Sequence, residues 1–263
     1  MPLPPLTIKQ QEILHLLYTH RFLSRIQIQT LLHHKDKRRI IHWLKDMRDK
    51  EYVKWIYDGN SFIEKSKPAV YYINLNGIRF LKSLDRYPVT ELRKRYREGS
   101  RQPSFIAHCL LLADCCIDLE TKGRESASVE YSCVREPEYT NPNSRYIFLD
   151  ELKPHLYFIK QENTGTTQYM LEVIPPTFPR YRVRKRLKDY VACLSNGLWQ
   201  QETSSQLPIV LIICPSIAEL LYAKRLTRRL LENAWDDEDV HIRFTTVDKV
   251  KRQGVTSMIW EEV

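Results

Sequence analysis

The run Ile209–Cys214, IVLIIC, is apolar on every residue. A strand that shows water neither face has to lie inside a sheet covered on both sides, usually by helices. The segments around it agree. Phe105–Thr121 carries Ile106, Cys109, Leu110, Ala113, Cys116 and Ile117 at helical spacing, and Arg180–Leu194 and Ile217–Trp235 are two further helices. Val129–Cys133 and Tyr146–Leu149 have the look of short strands, separated by a loop with Pro137, Asn141, Pro142 and Asn143. Leu156–Ile159 and Gln168–Ile174 form a hairpin around Asn163-Thr164-Gly165, and Ile242–Thr246 is the last strand. Helices alternating with strands around a buried strand give an α/β layer built on a mixed sheet.

The first hundred residues are patterned differently. Ile8, Ile13, Leu16 and Leu17 mark a first helix with Thr7 as its N-cap. Ser24 caps a short second helix to Leu32, and His33-His34 makes a turn. A third helix runs from about Asp36 to Lys50, with Ile40, Ile41, Leu44 and Met47 on one face and Lys35, Arg38, Arg39, His42 and Lys45 on the other. Trp43 beside that apolar face is a packing residue. Glu51–Tyr57 and Val70–Ile73 are strands joined through Asp58-Gly59-Asn60 and a polar tip with Lys65, Lys67 and Pro68. Three helices followed by a hairpin describe a winged helix-turn-helix, whose third helix enters the major groove. Leu75–Leu84 is a fourth helix, and Thr90–Gln102 is a basic segment nearly free of apolar anchors. The fold class is therefore α+β. Its domains are a winged helix over 1–88, a basic linker over 89–103 and an α/β mixed-sheet domain over 104–263.

Charge divides the same way. Residues 1–100 hold 20 Lys and Arg against 10 Asp and Glu, whereas 101–263 hold 21 against 22. The whole excess of the +9 chain lies in the N-terminal third, which points to a polyanionic partner, double-stranded DNA first. Arginine matches guanine edges by bidentate hydrogen bonding. The groove-facing set is Lys37, Arg38, Arg39, His42 and Lys45, with the helix N-terminus adding its dipole. Arg25, Lys65 and Lys67 face phosphates. The basic start of the Arg180–Leu194 helix either extends this footprint or binds another protein. Asp236–Asp239 is a solvated acidic turn.

Several classes are excluded. No apolar run approaches a membrane span, and the Pro-rich start is not a signal peptide. With only 7 glycines, neither G-x-G-x-x-G nor a P-loop occurs. Six cysteines without a C-x-x-C pair disfavour a zinc ribbon and suit reduced, mostly buried thiols in the cytoplasm.

Taken in order, LTIKQQEILHLLYTHRFLSRIQIQTLL, KRRIIHWLKDMRDKEYVKW, YYINLNGIRFL, AHCLLLADCCIDLE, LKPHLYF, YMLEVI, RLKDYVACL and PIVLIICPS resemble the replication-relaxation proteins of bacterial plasmids and mobile elements. The resemblance implies a winged helix joined to a domain similar to the PD-(D/E)xK nucleases, and a role in plasmid replication or DNA relaxation. Such nucleases place an acid after a Pro near one strand and Glu-x-Lys on the next, to hold a divalent metal. Here those positions read Pro154-His155 and Glu172-Val173-Ile174, so the first acid and the lysine are missing.

The expected function is sequence-specific DNA binding without catalysis. It needs no cofactor, acts as a homodimer because two-fold sites are read by two-fold proteins, and touches no membrane. Two alternatives stand beside it. One is a magnesium-dependent endonuclease with a rearranged centre of Glu172, His155 and Glu136. The other is an adaptor that docks replication or transfer proteins.

Overall fold

The computed structural model describes residues 2–57, 66–141, 143–195, 198–203, 205–232 and 240–263. The Asp58-Gly59-Asn60 turn, Lys65, Pro142, residues 233–235 at the end of the expected Ile217–Trp235 helix and the acidic Asp236–Asp239 lie outside the described residues. Contacts cluster into two units, Met1–Ile117 and Asp118–Val263.

In the first unit, α1 (Ile8–His20) starts at a complete capping box: Thr7 accepts from the Gln10 backbone, and Gln10 returns the bond. A two-residue strand, β1 (Leu23–Ser24), leads into α2 (Arg25–Leu31), where Ser24 and Gln27 repeat the motif. α3 (Lys37–Asp49) follows, then β2 (Val53–Ile56), β3 (Val70–Ile73) and α4 (Leu75–Lys82). The three strands form an antiparallel sheet in the order β1-β3-β2, with Leu23 opposite Tyr71 and Trp55 opposite Tyr71 from the other side. Ile13, Leu14, Leu17, Ile28, Ile40 and Leu44 fill the core beneath it. Gly77 is required where α4 crosses β2, since a Cβ there would stand 2.5 Å from the Tyr52 carbonyl.

The segment expected to be a linker is folded. It forms α5 (Val89–Arg95) and a 3-10 turn at Glu98–Ser100, and Leu92 enters the first unit's core. Glu98 is fully buried and receives Arg21 Nε at 2.8 Å, Arg101 Nε at 3.4 Å and Arg95 Nη1 at 3.5 Å. Arg95 Nη2 also donates to the Tyr18 carbonyl at 2.9 Å. Lys94, Arg95 and Arg101 of this segment are paired with Glu91 and Glu98, which a count of basic residues does not reveal. α6 (Pro103–Glu125) comes next, and the unit boundary falls inside it, not at residue 104 as the sequence suggests.

The second unit carries β4 (Val129–Val134), α7 (Glu136–Tyr139), β5 (Leu156–Glu162), β6 (Gly165–Val173), α8 (Arg180–Ser195), α9 (Leu198–Thr203), β7 (Ile209–Cys214), α10 (Ile217–Leu231), β8 (Ile242–Thr246), α11 (Val247–Gln253) and β9 (Glu261–Glu262). Its six-stranded sheet runs β4-β5-β6-β7-β8-β9, antiparallel except for the parallel β6-β7 and β7-β8 pairs. β7 lies inside the sheet as its apolar sequence demands. Met170, Val210, Ile212, Ile242 and Phe244 meet α8 and α10 through Val183, Leu187, Tyr190, Leu220 and Ala223. Gly254 (φ 83°) turns the chain where a Cβ would strike Asp118 at 2.6 Å. Asp118 Oδ2 accepts both Thr256 N and Thr256 Oγ1 at 2.9 Å.

Two strand expectations differ from the structure. Tyr146–Leu149 is not a strand. It ends in a 3-10 turn at Ile147–Leu149, because Phe148 turns in to pack edge-on against Trp199 and Tyr157. Ile242–Thr246 is not the last strand, since β9 pairs onto it. Among the cysteines, Cys109, Cys115, Cys116 and Cys214 are buried, but Cys133 is exposed and Cys193 half-buried.

Candidate nucleic-acid interface

The basic face of the first unit is α3. Ile40, Leu44 and Met47 are buried, each contributing about 1.5–3 kcal/mol by leaving water, and this fixes the helix's rotation. Asp46 anchors it to α1. Its Oδ2 accepts Gln10 Nε2 at 2.6 Å and Lys50 Nζ at 2.8 Å, and the Lys50 hydrogen bond holds the carboxyl below its usual value. Trp43 packs at the core edge with His34 edge-on at 5.1 Å. With one face so fixed, Lys37, Arg38, Arg39, His42 and Lys45 are all exposed on the other. Ile41 does not join the apolar face. It is 45% exposed among these basic groups, because a helix of 3.6 residues per turn places it about 100° from Ile40.

The helix N-terminus is not open. Asp36 Oδ1 accepts the Arg38 backbone N–H at 2.8 Å and that of Arg39 at 3.4 Å. A carboxylate therefore occupies the anion position that the dipole offers, contrary to the expectation that this end assists phosphate binding.

Arg25 begins α2, its backbone N–H donating to Ala69 and its Nη1 to Gln29 Oε1 at 3.2 Å. Lys67 is exposed. Sequence reasoning misses a further group. Arg48 stacks 3.9 Å above the Trp55 ring, and Trp55 stacks on Tyr57 at 5.5 Å. Trp55 and Tyr57 are 42% and 43% exposed. Arg48 and Arg25 both act electrostatically on the hydroxyl of Tyr71, on the central strand β3, whose pKa burial raises. The spacing Ile41, Lys45, Arg48 and the alternation Trp55, Tyr57 are the signals that could have found this line.

The second cluster is on the sheet of the other unit. Glu172 on β6 is buried. Its Oε2 accepts Arg186 Nη2 and the Tyr190 hydroxyl, both at 2.9 Å and both from α8. His155, just before β5, accepts the Val173 backbone N–H on Nδ1 at 3.0 Å, and that nitrogen lies 3.5 Å from Glu172 Oε1. A nitrogen that accepts carries no proton, so the imidazole is neutral, in keeping with burial pushing its pKa down. Burial opposes charge on Glu172, but His155 once it is protonated in acid, Arg186 and the two hydrogen bonds outweigh it and hold its pKa low. Arg186 also donates to the Leu152 and Lys153 carbonyls at 2.5 and 2.9 Å. Glu136, on α7, acts electrostatically on His155 together with Arg135. The structure thus brings Glu172 and His155 together, which the sequence alone could not, while Glu136 acts on His155 only through its charge.

It also brings Arg186, whose guanidinium holds Glu172 Oε2. One carboxylate already neutralised by a fixed cation does not suit a divalent ion. Among the described residues, no group of three or more His, Cys, Asp or Glu side chains is placed to hold a metal. No helix among them is long and apolar enough to cross a membrane.

Comparison with known proteins gives three results. No curated protein matches the chain. Two solved structures are similar at low level. The restriction endonuclease FokI bound to DNA has a TM-score of 0.33 at 12% identity, covering 94% of this chain and 44% of that one. FokI in a second structure has 0.31 at 11%, covering 95% and 45%. The chain thus spans less than half the length of the solved chains it matches, and scores this low do not establish a shared fold. The replication-relaxation family model matches residues 14–206, well over half of the sequence, and the chain belongs to that family.

Proposed function

We propose that this protein binds double-stranded DNA of a plasmid or mobile element through its first unit, read as a winged helix, and acts there in replication, relaxation or transcriptional control. The observation that carries the proposal is the rotation of α3, which buries Ile40, Leu44 and Met47 and turns Lys37, Arg38, Arg39, His42 and Lys45 to solvent. The β1-β3-β2 sheet supports the winged-helix reading, with Arg25 and Lys67 as phosphate contacts. The first unit carries 21 Lys and Arg against 11 Asp and Glu, a balance that steers it toward phosphates. A homodimer on a two-fold site follows from the same class of readout.

The second unit is read as a nuclease-like scaffold kept without its metal chemistry. The support is Arg186 bound to Glu172, where the expected Glu-x-Lys pattern has lost its lysine. The test is fluorescence polarisation of duplex DNA at several salt concentrations, followed by a gel of the same DNA with magnesium. Arg38→Ala with Arg39→Ala is expected to weaken binding by about 1–3 kcal/mol, and log affinity to fall steeply with log salt. Unchanged affinity overturns the assignment of α3. A flat salt response moves the reading to a protein adaptor. Cut DNA in the magnesium lanes, absent with Glu172→Ala, restores the endonuclease.

A further inference from the structure

α8 and α10 lie side by side on one face of the second unit's sheet, and a groove of about 830 Å³ runs between them. Arg180 and Arg184 line it from α8, Arg225 and Arg229 from α10, and all four are exposed. Each pair is spaced i,i+4, so each helix points two guanidinium groups the same way along the groove. Tyr222 lies between the rows, with Arg180 5.0 Å from its ring centroid. Arg225 Nε donates to the Leu221 carbonyl at 3.2 Å, which fixes its stem against the helix.

The second unit as a whole is not basic. It carries 20 Lys and Arg against 21 Asp and Glu. Ten of those 20 sit on α8 and α10, beside only two acids, Asp189 and Glu219. Arg186 and Lys224 reach Glu172 and Glu261, and the other eight basic residues of the two helices are exposed. Gathering half of a neutral unit's cations on two adjacent helices costs self-repulsion, which a bound polyanion relieves. Two rows of arginine suit a linear chain of phosphates, because the guanidinium fork grips phosphate bidentately. An acidic peptide would meet the same charge, but paired rows of guanidinium groups match a regular chain of phosphates better than a few scattered carboxylates, and interfaces for nucleic acid are the more strongly positive class.

We propose that the groove between α8 and α10 is a second nucleic-acid surface that holds a phosphodiester backbone. It rests on the reading of the protein as a DNA binder and adds a binding surface remote in sequence from α3. The test uses the full chain, a random-sequence duplex and an oligothymidylate of equal length, titrated at several salt concentrations. The variants are Arg180→Gln with Arg184→Gln, Arg225→Gln with Arg229→Gln, and all four together. The fourfold variant is expected to bind one or both probes at least about tenfold more weakly. Its salt slope flattens by about 0.9 for each duplex phosphate no longer neutralised, and by about 0.7 for each single-strand phosphate. Weakening with the duplex alone assigns the groove to duplex, and weakening with oligothymidylate alone to a displaced strand.

Wild-type affinity and slope in the fourfold variant overturn the proposal while leaving α3 untouched. Capture of polyglutamate that depends on the four arginines, with DNA binding unchanged, overturns it in favour of an acidic protein. A wild-type chain that binds neither DNA probe overturns both this proposal and the reading of α3. Weakened binding in Arg38→Ala with Arg39→Ala, but not in the fourfold variant, separates the two.

Discussion

Glu98 has no solvent exposure and faces three guanidinium groups, two of them largely buried themselves. Removing its charge strands Arg95, whose pKa burial already depresses. Glu98→Gln is expected to cost about 3–5 kcal/mol of the first unit's stability, the price of an uncompensated buried charge, and a denaturant melt measures it. His155 offers a test by pH. Its folded pKa lies below the ordinary 6.5, so between the two values the unfolded chain binds a proton that the folded chain refuses. Its contribution is complete above about 6.5 and declines as pH falls below that value. Glu172, held below 4.5, keeps its contribution above that value and loses it in stronger acid. His155→Asn retains an acceptor for Val173 and does not titrate. It is expected to remove the loss of stability that sets in as pH falls below about 6.5, while leaving the steeper loss in stronger acid. Melts across that range at constant ionic strength decide it. Both residues are visible in the sequence through Pro154-His155 and Glu172. Arg186 and Tyr190 are not, because only the packing of α8 on the sheet brings them to the carboxylate.

Elements whose signals are local were legible. Thr7 and Ser24 cap α1 and α2 through bonds that span three residues, and the IVLIIC run could only be an interior strand. Tyr146–Leu149 was not legible. Four residues with alternating aromatics fit a strand or a turn equally, and the choice falls to Tyr157 and Trp199, which are distant in sequence. The capping of α3 gives a prediction at this scale. Asp36 closes the helix end with a negative charge just where the basic face begins. Asp36→Ser keeps a good cap and removes the charge, so stability is expected to hold within about 0.5 kcal/mol. Duplex affinity is expected to rise by about 0.3–1 kcal/mol, since the dipole and the exposed arginines no longer act against a fixed carboxylate. Paired melting and polarisation measurements separate the effects. Unchanged affinity at unchanged stability would mean that the α3 N-terminus stands away from the phosphates.

At the scale of the whole molecule, contacts divide the chain inside α6, a place the sequence does not mark. A basic, polar stretch reads as solvated linker because the groups that bury its charges come from far along the chain. Arg21 reaches Glu98 across 77 residues, and Gln27 Nε2 donates to the Leu110 carbonyl at 2.9 Å and to Asp114 Oδ1 at 2.6 Å across 83 and 87. Leu92 and Ala113 belong to the same core as Ile13 and Leu44. The first folding unit therefore needs α5, the 3-10 turn and the first half of α6, and a fragment that stops at residue 88 lacks part of its own core. Residues 1–125 alone are expected to melt in one cooperative transition and to retain the salt-dependent DNA affinity assigned to α3. Residues 1–88 lack the partners of Arg21 and Gln27 and the apolar cover of Leu92 and Ala113. Removing several such interactions costs about 1–3 kcal/mol each, which together takes most of the roughly 5–15 kcal/mol that holds a domain of this size. Circular dichroism melts of the two fragments decide the boundary: equal midpoints place it before α5, and a transition seen only in the longer fragment places it inside α6.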